Sequence, residues 1–282
     1  MPFSRVYLEI TNCCNLACSF CPGTTRRAAF LTVAQFTHLA GALRGQTRFL
    51  YFHVMGEPLL HPDLPELLDI AGRMGFRVVL TTNGTLLPKR QRELLAAQAL
   101  HKVSVSLHSF EANSGVDMEH YLAGCTDFGL AASEAGILID YRLWNLDGAE
   151  TRGRNEQNDA ILNHLHAAYP GSWTQNTWGW RLCDRTFIHY GEKFDWPSPD
   201  APDHGEAGTC RALRDQLAVL CDGTVVPCCL DGEGRIPLGN LLAQPLDEIL
   251  AAEPARSIAA GFALQKRLHP LCRRCGYAQR FR

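Results

Sequence analysis

No apolar run in this 282-residue chain approaches the roughly 18–20 residues needed to cross a bilayer, so a membrane anchor is not expected. The opening stretch Met1–Glu9 turns polar too early for a signal peptide, and a cytoplasmic location is the expectation. Charge of one sign is nowhere concentrated: 27 Lys and Arg stand against 29 Asp and Glu, for a formal charge of -2, and the basic residues are scattered. Without a basic stripe to track a phosphate backbone, no long nucleic acid is expected as a partner, while a small anionic substrate stays open. Internal repeats and low-complexity tracts are also missing. What the chain does have in quantity is cysteine, with 12 residues. In a cytoplasmic setting that number favours metal or redox chemistry over disulfides. Four of the cysteines lie between positions 13 and 21, four between 210 and 229, and two at 272 and 275, with Cys125 and Cys183 standing alone.

Hydrophobic residues make up 46% of the chain and charged residues 20%, as expected of a folded protein. The first half alternates apolar strand-like segments with segments of helical spacing. Strands are expected at Val6–Thr11, Arg48–Met55, Arg77–Thr82, Lys102–Leu107 and Ile137–Leu143, with a sixth near Arg181–His189. Helices are expected at Leu31–Leu43 (Thr32 as cap), Asp63–Met74, Pro88–Ala99, within Met118–Ala135 and at Asn158–Ala168. Such alternation implies parallel βαβ units. Six of them fall short of a closed eight-fold barrel, and the expected fold class is an α/β partial (β/α)6 TIM-like barrel, with its site at the C-terminal strand ends. The expected domains are a barrel over 1–190, a linker over 191–209 that includes the proline-rich Trp196–Gly205, and a small cysteine-spaced domain over 210–282.

The most informative motif is Cys14, Cys18 and Cys21, spaced C-x3-C-x2-C. Three thiolates at this spacing can hold three irons of a cubane cluster and leave the fourth iron open to a ligand. A zinc site completed by Cys13, or a disulfide framework, uses the same residue types. The spacing, with Phe20 before the last cysteine, resembles the cluster motif of the radical S-adenosylmethionine (SAM) enzymes. Met55-Gly56-Glu57-Pro58 after the second strand resembles the family's glycine–glutamate motif, with Met55 in place of the usual first glycine. Thr81-Thr82-Asn83-Gly84 and Ser106-Leu107-His108-Ser109, at the ends of the next two strands, fit the family as well. The resemblance implies a [4Fe-4S] cluster that binds SAM and cleaves it reductively to a 5′-deoxyadenosyl radical. It also implies an external one-electron reductant of the flavodoxin or ferredoxin type, and SAM contacts from Phe20, Gly56, Glu57, Asn83, Ser106 and His108. Cys13 is read as a packed thiol.

The second signal is Cys210, followed by twelve residues, Gly223, four residues and Cys228, and later by Cys272-Arg-Arg-Cys275. This arrangement resembles the start of the SPASM auxiliary-cluster domain in its shortened "twitch" form. The resemblance implies a second [4Fe-4S] cluster held by Cys210, Cys228, Cys272 and Cys275. Four thiolates leave no open iron, which suits electron transfer; a structural zinc would use the same four residues. Cys221 and Cys229 are competing thiols, with Cys229 expected to face away from Cys228.

Substrate residues are harder to find. Arg142 and Asn145 end the fifth strand, where Arg142 can grip a phosphate or carboxylate, and Cys183 and Tyr190 are further candidates. Glu9, His53 and His189 lie on expected strands and face either the lumen or the core. The leading expectation is hydrogen-atom abstraction from a small polar substrate (a cyclitol, sugar or nucleoside-like molecule), ending in a two-electron oxidation. The auxiliary spacing resembles that of twitch-domain dehydrogenases acting on a cyclitol alcohol. Alternatives are a radical lyase acting on a modified nucleotide, as in queuosine-phosphate salvage, an epimerase using Cys183 or Cys125, and a peptide maturase. From a different class, the chain can be read as a non-catalytic zinc-binding interaction protein.

Overall fold

The computed structural model describes residues 2–146 and 156–281. The barrel half runs β1 (Arg5–Leu8), α1 (Val33–Leu43), β2 (Phe49–Tyr51), α2 (Leu64–Arg73), β3 (Arg77–Thr82), α3 (Leu87–Ala96), β4 (Leu100–Ser106), α4 (Met118–Glu134), β5 (Leu138–Leu146) and α5 (Glu156–Ala168). Three strands follow, β6 (Thr174–Asn176), β7 (Gly179–Cys183) and β8 (Thr186–Glu192). The C-terminal part contains β9 (Gln216–Val219), β10 (Thr224–Val226), β11 (Gly239–Asn240), α6 (Leu246–Ala251), α7 (Ala255–Ala263) and α8 (Pro270–Arg273).

One sheet of 11 strands runs through the described residues in the order β11-β10-β9-β1-β2-β3-β4-β5-β8-β7-β6. Strands β1 to β5 and β8 are parallel to one another and form an open, partial (β/α)6 barrel. The segment Arg181–His189, expected as a single sixth strand, is instead two strands. β7 folds back antiparallel onto β8 through a turn with Arg185 at φ 59, and only β8 continues the barrel. At the other edge β9 pairs in parallel with β1, and the β9–β10 hairpin carries the sheet into the C-terminal region.

Local chemistry explains the elements. Thr32 caps α1 in a capping box: its Oγ1 accepts from Gln35 N at 3.1 Å, and Gln35 Oε1 accepts from Thr32 N at 3.0 Å. Leu64, Leu67, Leu68 and Ala71 recur at helical spacing and form the buried face of α2. Along β5, Ile139, Tyr141 and Leu143 enter the core, while Asp140, Arg142 and Trp144 point to the other face and line a cavity. On β4, Val103 and Val105 are core while Lys102 and Ser106 reach the same cavity.

Candidate active site

The loop carrying Cys14, Cys18 and Cys21 leaves β1 and is held at both ends. Thr11 pairs with Phe30 across its base, Asn12 Nδ2 donates to Arg27 O at 2.9 Å, and Ala29 N donates to Asn12 Oδ1 at 2.8 Å. Cys14 and Cys21 are exposed and Cys18 half-buried. Burial first, then the neighbouring Cys21 and Cys14, pushes the Cys18 thiol up to about 12. Cys13 is turned out of this set, with Sγ 3.9 Å from both Asn12 Oδ1 and Ala29 O.

Gly56 presses directly on this loop. It has φ 78, and a Cβ there would stand 2.5 Å from Thr11 O and 2.8 Å from Cys13 O, so only glycine fits. The next residue locks the contact, Glu57 N donating to Cys13 O at 2.7 Å. The Glu57 carboxylate turns inward rather than to the cavity. It is 2% exposed, accepts from Leu59 N at 3.0 Å and Asn83 N at 2.7 Å, and burial pushes it up to about 7 against those donors. Glu57 therefore ties the end of β2 to the end of β3. Asn83 is also buried, and its Nδ2 donates to Asn15 Oδ1 at 2.9 Å with Cys14 Sγ 3.9 Å away. Phe20, Gly56, Ser106 and His108 line the cavity. The Phe20 and His108 rings lie 4.6 Å apart, and His108 Nδ1–H donates to Arg142 O at 2.9 Å. Burial lowers the His108 ring to about 4, which keeps it neutral at physiological pH.

A single cavity of about 2080 Å³ is lined by Cys14, Cys18 and Cys21 and also by Cys210, Cys228, Cys272 and Cys275. The last four thiols sense one another: after burial, Cys210 and Cys275 are among the groups that raise Cys228, and the same two raise Cys272. Cys229 shares a hydrogen bond with Tyr7, but it also lines the cavity and, after burial, is the charge that raises Cys228 most, so it stays beside that group. Cys221 sits apart, its N–H donating to Glu9 Oε2 at 3.0 Å. Glu9 is fully buried and paired with Arg26 at 2.6 Å, so it is a satisfied core residue and not a lumen group.

Between the two thiol sets the cavity has a polar floor that sequence reasoning did not assemble. Asp140, 2% exposed, is contacted by Lys102 Nζ at 2.8 Å, Arg142 Nε at 3.3 Å, His189 Nδ1 at 2.6 Å and Ser104 Oγ at 3.1 Å. Burial alone would raise the carboxyl, but His189, Arg142 and Lys102 outweigh it and hold it below its usual range. Arg142 also lies over the Trp144 ring at 4.6 Å. His53 joins through Thr81 Oγ1 at 3.4 Å, and burial lowers its ring to about 3. The two-residue spacing of Asp140 and Arg142 on β5 was the available signal. Tyr190 lines the cavity as well. Asn145 does not: it is buried and paired reciprocally with Asn158 at 3.0 Å in both directions. Cys183 is exposed on β7 and Cys125 is fully buried, and neither reaches the cavity. The proline-rich segment near 196 is no free tether, since Trp196 Nε1 donates to Phe20 O at 2.9 Å.

The donor chemistry suits iron–sulfur clusters. Three thiols sit on a clamped loop at the cavity wall, and four more gather opposite them. Among the described residues no group of three or more His, Cys, Asp or Glu has the geometry of a site for one ion. Beside the four-thiol set lies Arg267, 5% exposed, with Nε and NH1 buried and without a hydrogen-bond partner. A buried guanidinium left that way is costly unless an anionic group completes it, and a thiolate-ligated cluster is such a group.

Comparison with known proteins agrees. The family model for the Radical SAM superfamily matches residues 8–124, and the SPASM iron–sulfur cluster-binding domain matches residues 210–276. A GTP 3′,8-cyclase of Acidothermus cellulolyticus is 31% identical over 209 residues, covering 65% of this chain and 55% of the relative. The cofactor-modifying protein of a tungsten-containing aldehyde ferredoxin oxidoreductase in Pyrococcus furiosus is 30% identical over 146 residues, 49% of this chain and 38% of the relative. The chain thus spans about a third to a half of such relatives. Among solved structures, BtrN in complex with AdoMet and 2-DOIA superposes with a TM-score of 0.62 at 18% identity, over 97% of this chain and 92% of that one. SuiB of Streptococcus suis bound to S-adenosylmethionine gives 0.63 at 15% identity, over 91% and 68%. At such identities the likeness is one of fold. Two clustered cysteine sets, each within its matching family model, lead to one conclusion: the chain belongs to the radical SAM superfamily of enzymes and carries a C-terminal SPASM-type iron–sulfur domain.

Proposed function

We propose that this chain carries out a two-electron oxidation of a small polar substrate (a cyclitol, sugar or nucleoside-like molecule) at a carbon bearing a hydroxyl group. The observation that carries the reading is the single cavity lined by both thiol sets, with a polar floor between them. When bound, the first cluster with SAM supplies a hydrogen-abstracting radical, and the auxiliary cluster supplies an acceptor for the second electron. The chain's own groups do the rest. Cys14, Cys18 and Cys21 hold the first cluster, and Cys210, Cys228, Cys272 and Cys275 the second. Gly56 presses the end of β2 against the cysteine loop and lines the SAM side of the cavity, with Phe20 and His108 as the ring platform. Lys102, Arg142 and His189, pre-positioned by Asp140, orient substrate oxygens without reorganising at the moment of reaction. The electron donor in the cell is a one-electron reductant of flavodoxin or ferredoxin type. No helix among the described residues is long and apolar enough to cross a membrane, in keeping with a cytoplasmic setting.

A second reading, a lyase or related reaction on a nucleotide, is favoured by one observation. Lys102 and Arg142 line the cavity against the single carboxylate of Asp140, an excess of cations suited to a phosphate, and several curated relatives carry the name GTP 3′,8-cyclase. Both readings are tested by supplying reduced, cluster-loaded enzyme with SAM and panels of cyclitols, sugars, nucleosides and nucleotides. Oxidation predicts one 5′-deoxyadenosine per product, with the abstracted hydrogen retained in it. Regeneration of SAM, or return of that hydrogen to product, would contradict it.

A further inference from the structure

Arg267 is an anomaly for a residue outside the cysteine motifs. The guanidinium is 5% exposed, its Nε and NH1 have no hydrogen-bond partner, and no carboxylate pairs with it among the described residues. Only NH2 is satisfied, by Ala207 O. Its place is prepared by the backbone: Gly208 has φ 135, and a Cβ there would stand 2.8–2.9 Å from three guanidinium atoms. The side chain lines the same cavity as the auxiliary thiols, and its charge is felt by Cys210, Cys272 and Cys275. Gly208 stands two residues before Cys210, and Arg267 five before Cys272, so both flank ligand positions. The fold keeps a buried cation with two idle donors against three of the four auxiliary thiols.

We infer that Arg267 sets the reduction potential of the auxiliary cluster by donating its Nε–H and NH1–H toward the cluster's sulfur atoms. This rests on the assignment of Cys210, Cys228, Cys272 and Cys275 as cluster ligands. Reduction adds one negative charge to the cluster. A fixed positive charge with aligned donors stabilises the reduced form more than the oxidised form, so the potential rises. The cluster then accepts an electron more readily when the substrate, having lost a hydrogen atom and a proton, gives up its second electron. Arg267 is a positioning residue in this sense: it touches neither substrate nor SAM and acts through the cluster.

The test is a spectroscopically monitored redox titration on a Cys14→Ala, Cys18→Ala, Cys21→Ala background, in which only the auxiliary cluster remains. Arg267→Met is expected to lower the midpoint potential by the equivalent of at least a tenfold change in the reduction equilibrium, about 59 mV for one electron. Arg267→Lys keeps the charge but loses the planar fork, and falls between. Gly208→Ala keeps the arginine but displaces its guanidinium, and lowers the potential as well. Both retain the iron even where Arg267→Met fails to assemble. Unshifted potentials in Arg267→Lys and Gly208→Ala at full iron content overturn the inference and leave the cluster assignment standing. A background protein that takes up zinc and no iron removes the assignment itself.

Discussion

Replacing Gly56 by alanine tests how the end of β2 is held against the cysteine loop. The added Cβ meets Thr11 O at 2.5 Å and Cys13 O at 2.8 Å, both backbone atoms that cannot rotate aside. Three effects combine. Alanine in the left-handed region costs about 1 kcal/mol. The backbone must retreat, which breaks the 2.7 Å bond from Glu57 N to Cys13 O at a net loss of about 1 kcal/mol. Forcing a methyl group into a filled space adds roughly 1–3 kcal/mol. A destabilisation of about 3–5 kcal/mol is therefore expected for Gly56→Ala in urea unfolding of the apo protein. Gly45 is the control, because it has φ 80 but nothing within 4 Å of an added Cβ. Gly45→Ala carries only the conformational part, about 1 kcal/mol. Iron uptake by Gly56→Ala should also fall, since the retreating segment pulls on Cys13 and, next to it, Cys14. If the two variants are equally stable and load equal iron, the close approach is not what holds this loop.

Glu57 makes stability depend on pH. Its carboxyl rises from 4.5 to about 7 on folding, so the native state holds a proton that the unfolded chain gives up. The contribution is full below about 4.5 and is lost as pH rises through about 7, at most about 3 kcal/mol in all. Glu57→Gln should flatten the stability profile across that window, and an unchanged slope would contradict the assignment. Asp140→Asn leaves Lys102 and Arg142 without their shared carboxylate. The expected cost is about 3 kcal/mol, the low end for a broken buried pair because Lys102 keeps 27% exposure. In the assay with substrate, KM should rise at least tenfold with SAM binding unchanged; a drop in SAM binding instead would move Asp140 to the other side of the site.

Much of the barrel was legible because its signals are local. β3 spans Arg77–Thr82 as the apolar run and the following Asn83-Gly84 imply, and α1 begins where Thr32 and Gln35 form a capping box. The sixth strand was misread because the β7–β8 turn uses Arg185 in a left-handed conformation, with no glycine or asparagine at that position to announce it. The parallel pairing of β9 with β1 joins Val6 to Leu217, and no local pattern reports a partner so distant in sequence. The same holds in the site. Cysteine spacing is a covalent signal and survives in the sequence, whereas Asn145 is withdrawn from the cavity by Asn158, and Trp196 is bound to the cysteine loop through Phe20 O. Asp140 lay within reach, since strand alternation puts it on the face of Arg142, but its partners come from three strands.

Iron counting after anaerobic reconstitution addresses the two-cluster cavity most directly. The wild-type chain should bind about eight irons, falling to about four in Cys14→Ala, Cys18→Ala, Cys21→Ala and to about four in Cys272→Ala, Cys275→Ala. Only the second of these variants should still cleave SAM under reduction. Zinc in place of iron, or a count that falls in neither variant, would contradict two clusters facing one cavity.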